Sequence, residues 1–188
     1  MDQTQALLIR RTRFGDTSLI LTWFTERYGL VKTIAKGALR PKSPLFGKVD
    51  LFFQCDITVT VAKKGDLHAL RELHVIAPFE GIRTSYLRAL VSSYFSELLA
   101  QGIEFEHPMP ELFHLALRAF GYLNETEPTI RSVHYFEEQF CKMIELETGQ
   151  IPVNNILHRR LSALLGGRIP DNRGVVLAKI EENIKNNP

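Results

Sequence analysis

The sequence predicts an α+β fold, in which a small β-barrel in residues 1–78 precedes an all-helical bundle in residues 79–188. Two observations support this prediction. Short runs rich in β-branched and aromatic residues alternate with turn residues in the first part, whereas apolar residues recur at helical spacing in the second. The sequence Pro78-Phe79-Glu80-Gly81 separates the two patterns and therefore marks the predicted domain boundary.

Five candidate strands occupy the first part. Aliphatic residues alternate with threonines across residues 57–61, which is the period of two that a half-buried strand requires. Residues 63–66 predict a hairpin turn, because Gly65 is free to adopt a positive φ. Five short strands in a segment of this length favour a closed barrel of the OB-fold type. We expect the strands at residues 6–12, 18–25, 30–35, 50–62 and 67–76.

The second part shows the apolar spacing of amphipathic helices. From Leu87 to Leu99 the apolar residues fall at i, i+3, i+4 and i+7 and continue in that register, and Gly102 is expected to end this helix. Gly149 is expected to end the third helix in the same way. We expect helices at residues 82–103, 110–123, 129–147, 153–165 and 174–185, of which the last two have the weaker patterns.

The composition is that of a globular protein, with 45% hydrophobic and 23% charged residues. No apolar run approaches the ~20 residues of a membrane-spanning helix, and the N-terminus lacks the pattern of a signal peptide. We therefore expect a soluble, cytoplasmic protein. Cys55 and Cys141 fall in apolar stretches, which favours two buried, reduced thiols. The absence of a Cys-x-x-Cys pair argues against a thiolate zinc site.

The sequence contains no recognised catalytic motif. It has no Gly-x-Ser-x-Gly, His-Glu-x-x-His or Gly-x-Gly-x-x-Gly. Residues 37–43 end in Lys-Ser, but they lack the glycine that precedes the lysine of a P-loop, and Pro41 removes a backbone N–H. We therefore predict that the chain is not an enzyme and has no catalytic residues and no cofactor. A further alternative for the function of the chain is an enzyme whose site none of these motifs describes.

Several acidic residues and histidines invite a metal-site interpretation. His107 and His114 lie near three glutamates around the start of a predicted helix, where acidic residues also offset the helix dipole. We predict solvated charges there and no metal. The three glutamates are Glu104, Glu106 and Glu111. The acidic pairs are expected on outer helix faces; they are Glu137-Glu138, Glu145/Glu147 and Glu181-Glu182.

Positive charge is concentrated in the predicted barrel. Residues 1–78 contain 12 Lys and Arg against 7 Asp and Glu, whereas residues 79–188 contain 11 against 14. Between Arg10 and Lys48 there are nine basic residues and two acidic ones. A basic surface confined to one domain indicates a polyanionic partner for that domain, although a merely solvated charged face is the alternative.

The segment from Lys32 to Lys48 is the strongest candidate for nucleic-acid binding. It combines basic residues with two glycines and two prolines, so we expect a flexible basic loop suited to a phosphate backbone. Phe14 and Phe46 are candidates for base stacking, whereas Trp23 is expected in the core. The predicted nucleic-acid-binding residues are Lys36, Arg40, Lys42, Lys48, Arg11, Arg13, Lys32, Lys63 and Lys64.

An ordered set of motifs resembles the RecO family. Residues 15–25 (GDTSLILTWFT), Gly29, residues 35–38 (AKGA) and Lys42-Ser43 resemble the N-terminal OB domain of that family. Later stretches agree in order and spacing, and the similarity extends from residue 6 to about residue 152. These stretches are Tyr94 to Leu99 (YFSELL), Leu112-Phe113, Phe136-Glu137 and residues 149–152 (GQIP).

The resemblance implies a cytoplasmic, nucleoid-associated recombination mediator rather than an enzyme. Such proteins bind single-stranded and double-stranded DNA and anneal complementary strands. With RecR they load RecA onto DNA covered by single-strand-binding protein, whose acidic C-terminal tail docks on the helical domain. Lys36, Arg40 and Lys42 match the family's basic loop, so the resemblance implies DNA contact for these three; the other cations are nominated from charge alone.

Two departures from the family pattern concern the C-terminal part. Residues 153–167 contain none of the four cysteines of the zinc module that many members have, and the helical part is expected to be shorter than usual. DNA binding is therefore better supported than partner docking. The alternative function is a protein-interaction adaptor whose helical domain grips a partner peptide in an apolar groove and which has little affinity for DNA.

Overall fold

The computed structural model describes residues 3–149 and 156–186. Its first five elements are strands, which close into a barrel in the order β1-β2-β3-β5-β4. β3 and β5 pair in parallel, and the other neighbours pair antiparallel. This order is that of an OB-fold, so the predicted fold class is confirmed. The strands are β1 (Thr4–Phe14), β2 (Ser18–Thr25), β3 (Gly29–Ala35), β4 (Gln54–Thr60) and β5 (Leu67–Ala77).

Five α-helices follow the barrel within the described residues, after a short 3₁₀ helix at Glu80–Thr84. Because that turn precedes it, the first α-helix begins at Tyr86 rather than at residue 82 as predicted. The predicted start of the fourth helix, residues 153–155, lies outside the described residues. The helices are α1 (Tyr86–Gly102), α2 (Pro110–Glu125), α3 (Ile130–Thr148), α4 (Leu157–Leu164) and α5 (Arg173–Asn186).

The chain divides into two compact units. One runs up to Phe79 and also includes Glu104–Leu117, and the other consists of Glu80–Ile103 and the chain from Arg118 onward. Two contacts explain why the inserted segment groups with the barrel. Phe105 forms a bridge to Leu30 of β3, and the ring of Phe113 meets the edge of Phe24 at 5.5 Å. The domain limits of 1–78 and 79–188 stay a prediction.

Trp23 occupies the centre of the barrel core, as predicted. Its side chain has no exposed surface, and its Nε1 donates a hydrogen bond of 2.9 Å to Oγ1 of Thr33. That bond satisfies the one polar atom of the indole ring, which would otherwise lose its water partner on burial. The surrounding core residues include Leu8, Leu21, Cys55, Ile57, Val59 and Leu73.

β4 begins four residues later than predicted. Phe52 has a φ of 71°, which is rare for a bulky residue and ends any extended run through it. Two hydrogen bonds fix this bend against β1: the Phe52 amide donates to the Leu8 carbonyl at 2.8 Å, and the Leu8 amide donates to the Phe53 carbonyl at 3.0 Å. Residues 50–53 are therefore a turn anchored on β1, although their apolar side chains are typical of a strand.

Glu137 of α3 is fully buried, so its predicted position on an outer helix face is wrong. Arg173 of α5 donates to both of its carboxylate oxygens, from Nε at 2.7 Å and from Nη2 at 2.9 Å. The Tyr94 hydroxyl of α1 donates to Oε1. Burial, and then the Glu137 charge, raise the pKa of Tyr94 far above its ordinary value, and the hydrogen bond to Glu137 raises that of Arg173. This cluster ties three helices together.

Glu145 also departs from the prediction. Its side chain is only 10% exposed and pairs with Arg160 of α4 at 2.6 Å. The remaining members of the predicted acidic pairs are exposed; they are Glu138, Glu147, Glu181 and Glu182.

Glu137→Gln is expected to lower the free energy of unfolding by about 3–5 kcal/mol, because it leaves Arg173 as an uncompensated, largely buried cation. The adjacent Glu138→Gln is a matched control. It lies exposed on the same helix and should change stability by less than about 0.5 kcal/mol. Denaturant unfolding of both variants measures the difference, and equal stabilities would contradict the assigned role of the buried pair.

Candidate nucleic-acid interface

One side of the sheet formed by β1, β2 and β3 points away from the barrel core and carries both cations and apolar side chains. Residues directly opposite each other in an antiparallel pair share a face. Thr22 lies opposite Arg10 and Lys32, and Ile20 lies opposite Thr12 and Ile34. We call this surface the outer face and define it by Arg10, Thr12, Phe14, Ser18, Ile20, Thr22, Lys32 and Ile34.

A β-bulge in β1 decides which arginines belong to the outer face. The register passes from Leu8 opposite Trp23 to Arg10 opposite Thr22, with Ile9 as the extra residue. Arg11 and Arg13 consequently share a face with the core residues Leu21 and Leu19 of β2. Strand alternation in the sequence gives no sign of the extra residue, and the nomination of Arg11 and Arg13 from charge alone could not take into account that Arg10 lies on the outer face.

Arg11 has a structural contact of its own. Its Nη1 donates to the Val49 carbonyl at 3.0 Å and lies 3.0 Å from Oδ1 of Asp50. The side chain therefore joins β1 to the end of the long β3–β4 connection. Arg13, which was predicted for the same role as Arg11, is exposed.

The β3–β4 connection, residues 36–53, is named the basic loop. It is folded into consecutive turns. Examples are the Arg40 amide bound to the Gly37 carbonyl at 3.0 Å and the Ser43 amide bound to the Arg40 carbonyl at 2.9 Å. Buried Ala38 and Val49 anchor both ends of the loop in the barrel core.

The cations of the basic loop are free to contact a ligand. Lys36, Arg40, Lys42 and Lys48 are all exposed, and none of them forms an ion pair within residues 3–149 and 156–186. An exposed cation without a protein partner keeps its full charge for a diffusible anion. The structure thus brings four of the predicted binding residues onto one folded loop.

Lys32, which was also predicted to bind, is already engaged. Its Nζ lies 3.0 Å from Oδ2 of Asp66 and 4.2 Å from the centroid of the Phe105 ring. The hydrogen bond from Lys32 lowers the pKa of Asp66. Lys32 therefore offers less free charge than the basic loop does. Lys63 and Lys64 are exposed in the β4–β5 turn, where Gly65 has the expected positive φ of 78°.

The two predicted stacking residues are both accessible. Phe14 is 51% exposed at the end of the outer face, and Phe46 is 54% exposed in the basic loop. An exposed aromatic ring among cations can stack on a base while the cations hold the phosphates. Their role in base stacking stays a prediction.

Of the glutamates and histidines around residue 107, Glu106 and His114 form two separate pairs. Glu106 accepts from Nε2 of buried His68 at 2.8 Å, and Nδ1 of His68 accepts from the Ala62 amide at 3.1 Å. These two bonds assign the proton of a neutral His68 ring to Nε2. His114 lies 3.2 Å from Glu26. No group of three His, Cys, Asp or Glu residues that could hold a metal ion occurs in the described part of the chain.

The two cysteines are buried and free, as predicted. Burial raises the pKa of both the Cys55 and the Cys141 thiol to about 12. Neither thiol is therefore a nucleophile near neutral pH. None of the helices within the described residues is long and apolar enough to span a membrane.

The five-stranded barrel with this strand order belongs to the class of OB-fold domains. Comparison with known proteins gives the family. Residues 1–79 match the family model described as "Recombination protein O N terminal". The "DNA repair protein RecO" of Rhodopirellula baltica is 32% identical over 140 residues, which cover 74% of this chain and 52% of that protein.

Two further relatives bear the same name, "DNA repair protein RecO". The protein of Halalkalibacterium halodurans is 32% identical over 123 residues, or 65% of this chain and 48% of that protein. The protein of Dehalococcoides mccartyi is 26% identical over 174 residues, or 93% of this chain and 68% of that protein. The chain belongs to the RecO family. It spans about half the length of the first two of these relatives.

Arg10→Ala is expected to weaken binding of a single-stranded oligonucleotide about three- to tenfold without lowering stability, because Arg10 lies exposed on the outer face. Arg11→Ala should instead lower stability by about 1 kcal/mol, since it loses the contacts to Val49 and Asp50. Fluorescence polarisation and thermal unfolding measure the two effects. Equal losses of affinity in both variants would contradict the assignment of faces.

Proposed function

We propose that this chain is a DNA-binding mediator of recombinational repair that acts without catalytic turnover. Membership of the RecO family supports a role in DNA repair. The observation that carries the binding mode is the folded basic loop, whose four exposed cations have no ion-pair partner among the described residues. It adjoins an outer face that exposes Phe14.

Single-stranded DNA is the ligand that this surface fits best. Phosphates would seat on the cations of the basic loop and release their counterions. Bases would lie against Phe14 and the half-buried pair Ile20 and Ile34. These contacts are available to every base, so the sequence preference is expected to be weak. Double-stranded DNA would bind to the same cations through its phosphates alone.

Strand annealing follows from the same electrostatics. Two complementary strands repel each other, and cations bound along one strand reduce the charge that the second strand meets. A weak hold on the bases leaves their pairing edges available to the incoming strand. The chain would therefore accelerate annealing without any bond-breaking step.

We further propose the protein partners that family membership implies. These are a RecR-like protein and the acidic C-terminal tail of single-strand-binding protein, which together would allow RecA to be loaded onto coated DNA. The helical unit is the proposed docking region for the tail. Tyr135 and Leu146 are 59% and 83% exposed on α3, and their spacing of eleven residues puts them on one helix face. We propose these two side chains as candidate apolar contacts for the tail.

The combined variant Lys36→Ala, Arg40→Ala, Lys42→Ala tests the binding mode. If each cation contacts one phosphate, the slope of log Kd against log salt for single-stranded DNA should fall in magnitude by about 2, at roughly 0.7 per contact. Annealing of complementary labelled oligonucleotides, followed by energy transfer, should slow in the same variant. Fluorescence polarisation at several salt concentrations measures the slope.

The control removes the same charge elsewhere, through Arg131→Ala, Lys142→Ala and Lys185→Ala, all of which are exposed in the helical unit. It should leave both slope and annealing unchanged. A slope that is the same in the loop variant as in the unmodified chain would overturn the proposal. Binding of an acidic-hydrophobic peptide by a chain with no DNA affinity would favour the adaptor function instead.

A further inference from the structure

A groove opens between the basic loop and β5. Its volume is 620 Å³, which falls in the range of about 300–1,000 Å³ that ligand sites occupy. One wall comes from the basic loop and the opposite wall from residues 69–74 of β5. The lining residues that matter for its chemistry are Lys36, Leu45, Lys48, Leu70, Arg71 and His74.

The groove has a cationic rim above an apolar floor. Leu70 and Leu73 form part of the floor and belong to the barrel core. Lys36, Lys48 and Arg71 stand exposed at the rim with His74, and Glu72 is the one acid among the lining residues. Arg71 is oriented by a hydrogen bond of 2.8 Å from its Nε to Oγ1 of Thr60, and its terminal nitrogens extend from that point.

The groove continues the outer face rather than forming a separate site. Ile34 lies opposite Ile20 on the outer face and opposite Ala69 in the parallel pair of β3 with β5. Both Ile34 and Ala69 line the groove, together with Lys36. A ligand that crosses the outer face therefore reaches the groove at Ile34 without leaving the protein surface.

We propose that the groove holds a second segment of the same single-stranded DNA that lies on the outer face, with the strand turning at Lys36. The inference rests on the proposed function and extends it. Three permanent cations against one acid suit a phosphate backbone, and the apolar floor suits bases turned inward. Residues 69–74 extend over roughly 17 Å at about 3.3 Å each, which is enough for three to five nucleotides.

The first test is Lys48→Ala combined with Arg71→Ala, measured against Arg131→Ala combined with Lys142→Ala as a charge-matched control. On a 20-nucleotide strand the groove variant should still bind, but its salt slope should fall in magnitude by about 1.4, at roughly 0.7 for each lost phosphate contact. Stoichiometric titration with labelled poly(dT) should show an occluded length shorter by about three to five nucleotides. The control should change neither value.

The second test locates the strand by photo-crosslinking. A cysteine in place of Pro44, which lines the groove and is exposed, is labelled with benzophenone maleimide. The native Cys55 and Cys141 should stay unlabelled, because burial raises their pKa to about 12. Thr12→Cys, labelled in the same way, reports on the outer face. Crosslinks from the two positions should map to different nucleotides of one strand.

The outcomes separate this inference from the proposed function. The inference alone would be overturned by three results together. DNA crosslinks to the labelled Thr12→Cys variant, it does not crosslink to the labelled Pro44→Cys variant, and the occluded length is unchanged in the groove variant. An added acidic peptide could instead crosslink to the labelled Pro44→Cys variant while DNA binding is unaffected. That result would assign the groove to a protein partner and would also overturn the inference. No binding of any oligonucleotide by the unmodified chain would overturn the proposed function itself.

Discussion

The β-bulge in β1 is the constraint on which the candidate interface depends. Up to Leu8, β1 contributes inward side chains to the core around Trp23, and the extra residue Ile9 then reverses the alternation. Arg10, Thr12 and Phe14 are thereby placed opposite Thr22, Ile20 and Ser18 of β2, on the face that points away from the barrel core. Without the bulge these three side chains would point to the interior and Arg11 would take the outer face. A one-residue change of register thus decides that Arg10 is available to a ligand and that Arg11 makes structural contacts instead.

Positive charge is used in two different ways in the barrel unit. Arg11 forms an ion pair with Asp50, and Lys32 forms one with Asp66. These pairs fix the ends of loops on the strands. The cations of the basic loop have no such partners within the described residues, although the loop itself is held by turns and by buried anchors. Holding unpaired charge on a folded loop reduces the conformational entropy that binding would otherwise cost. This arrangement suits the proposed binding of a polyanion.

The sequence predicted the elements well where local pattern determines structure. β2, α3 and the Gly65 turn follow from alternation, from the helical apolar spacing that Gly149 ends, and from glycine's freedom at positive φ. Features set by distant residues could not be predicted in this way. The bend at Phe52 depends on hydrogen bonds to Leu8, and the burial of Glu137 depends on Arg173, 36 residues later. The face on which Arg10 lies could not be predicted for the same reason, since a bulge is a property of the paired strands and not of β1 alone.

We propose that single-stranded DNA lies on the outer face and the basic loop. Hydrogen–deuterium exchange of the whole chain, with and without an oligonucleotide of about 20 nucleotides, tests this claim most directly. Slower exchange is expected in peptides that cover residues 10–22 and 32–48, with little change in α1 and α3. Protection confined to the helical unit, with the barrel unaffected in a sample that binds the oligonucleotide, would contradict the claim.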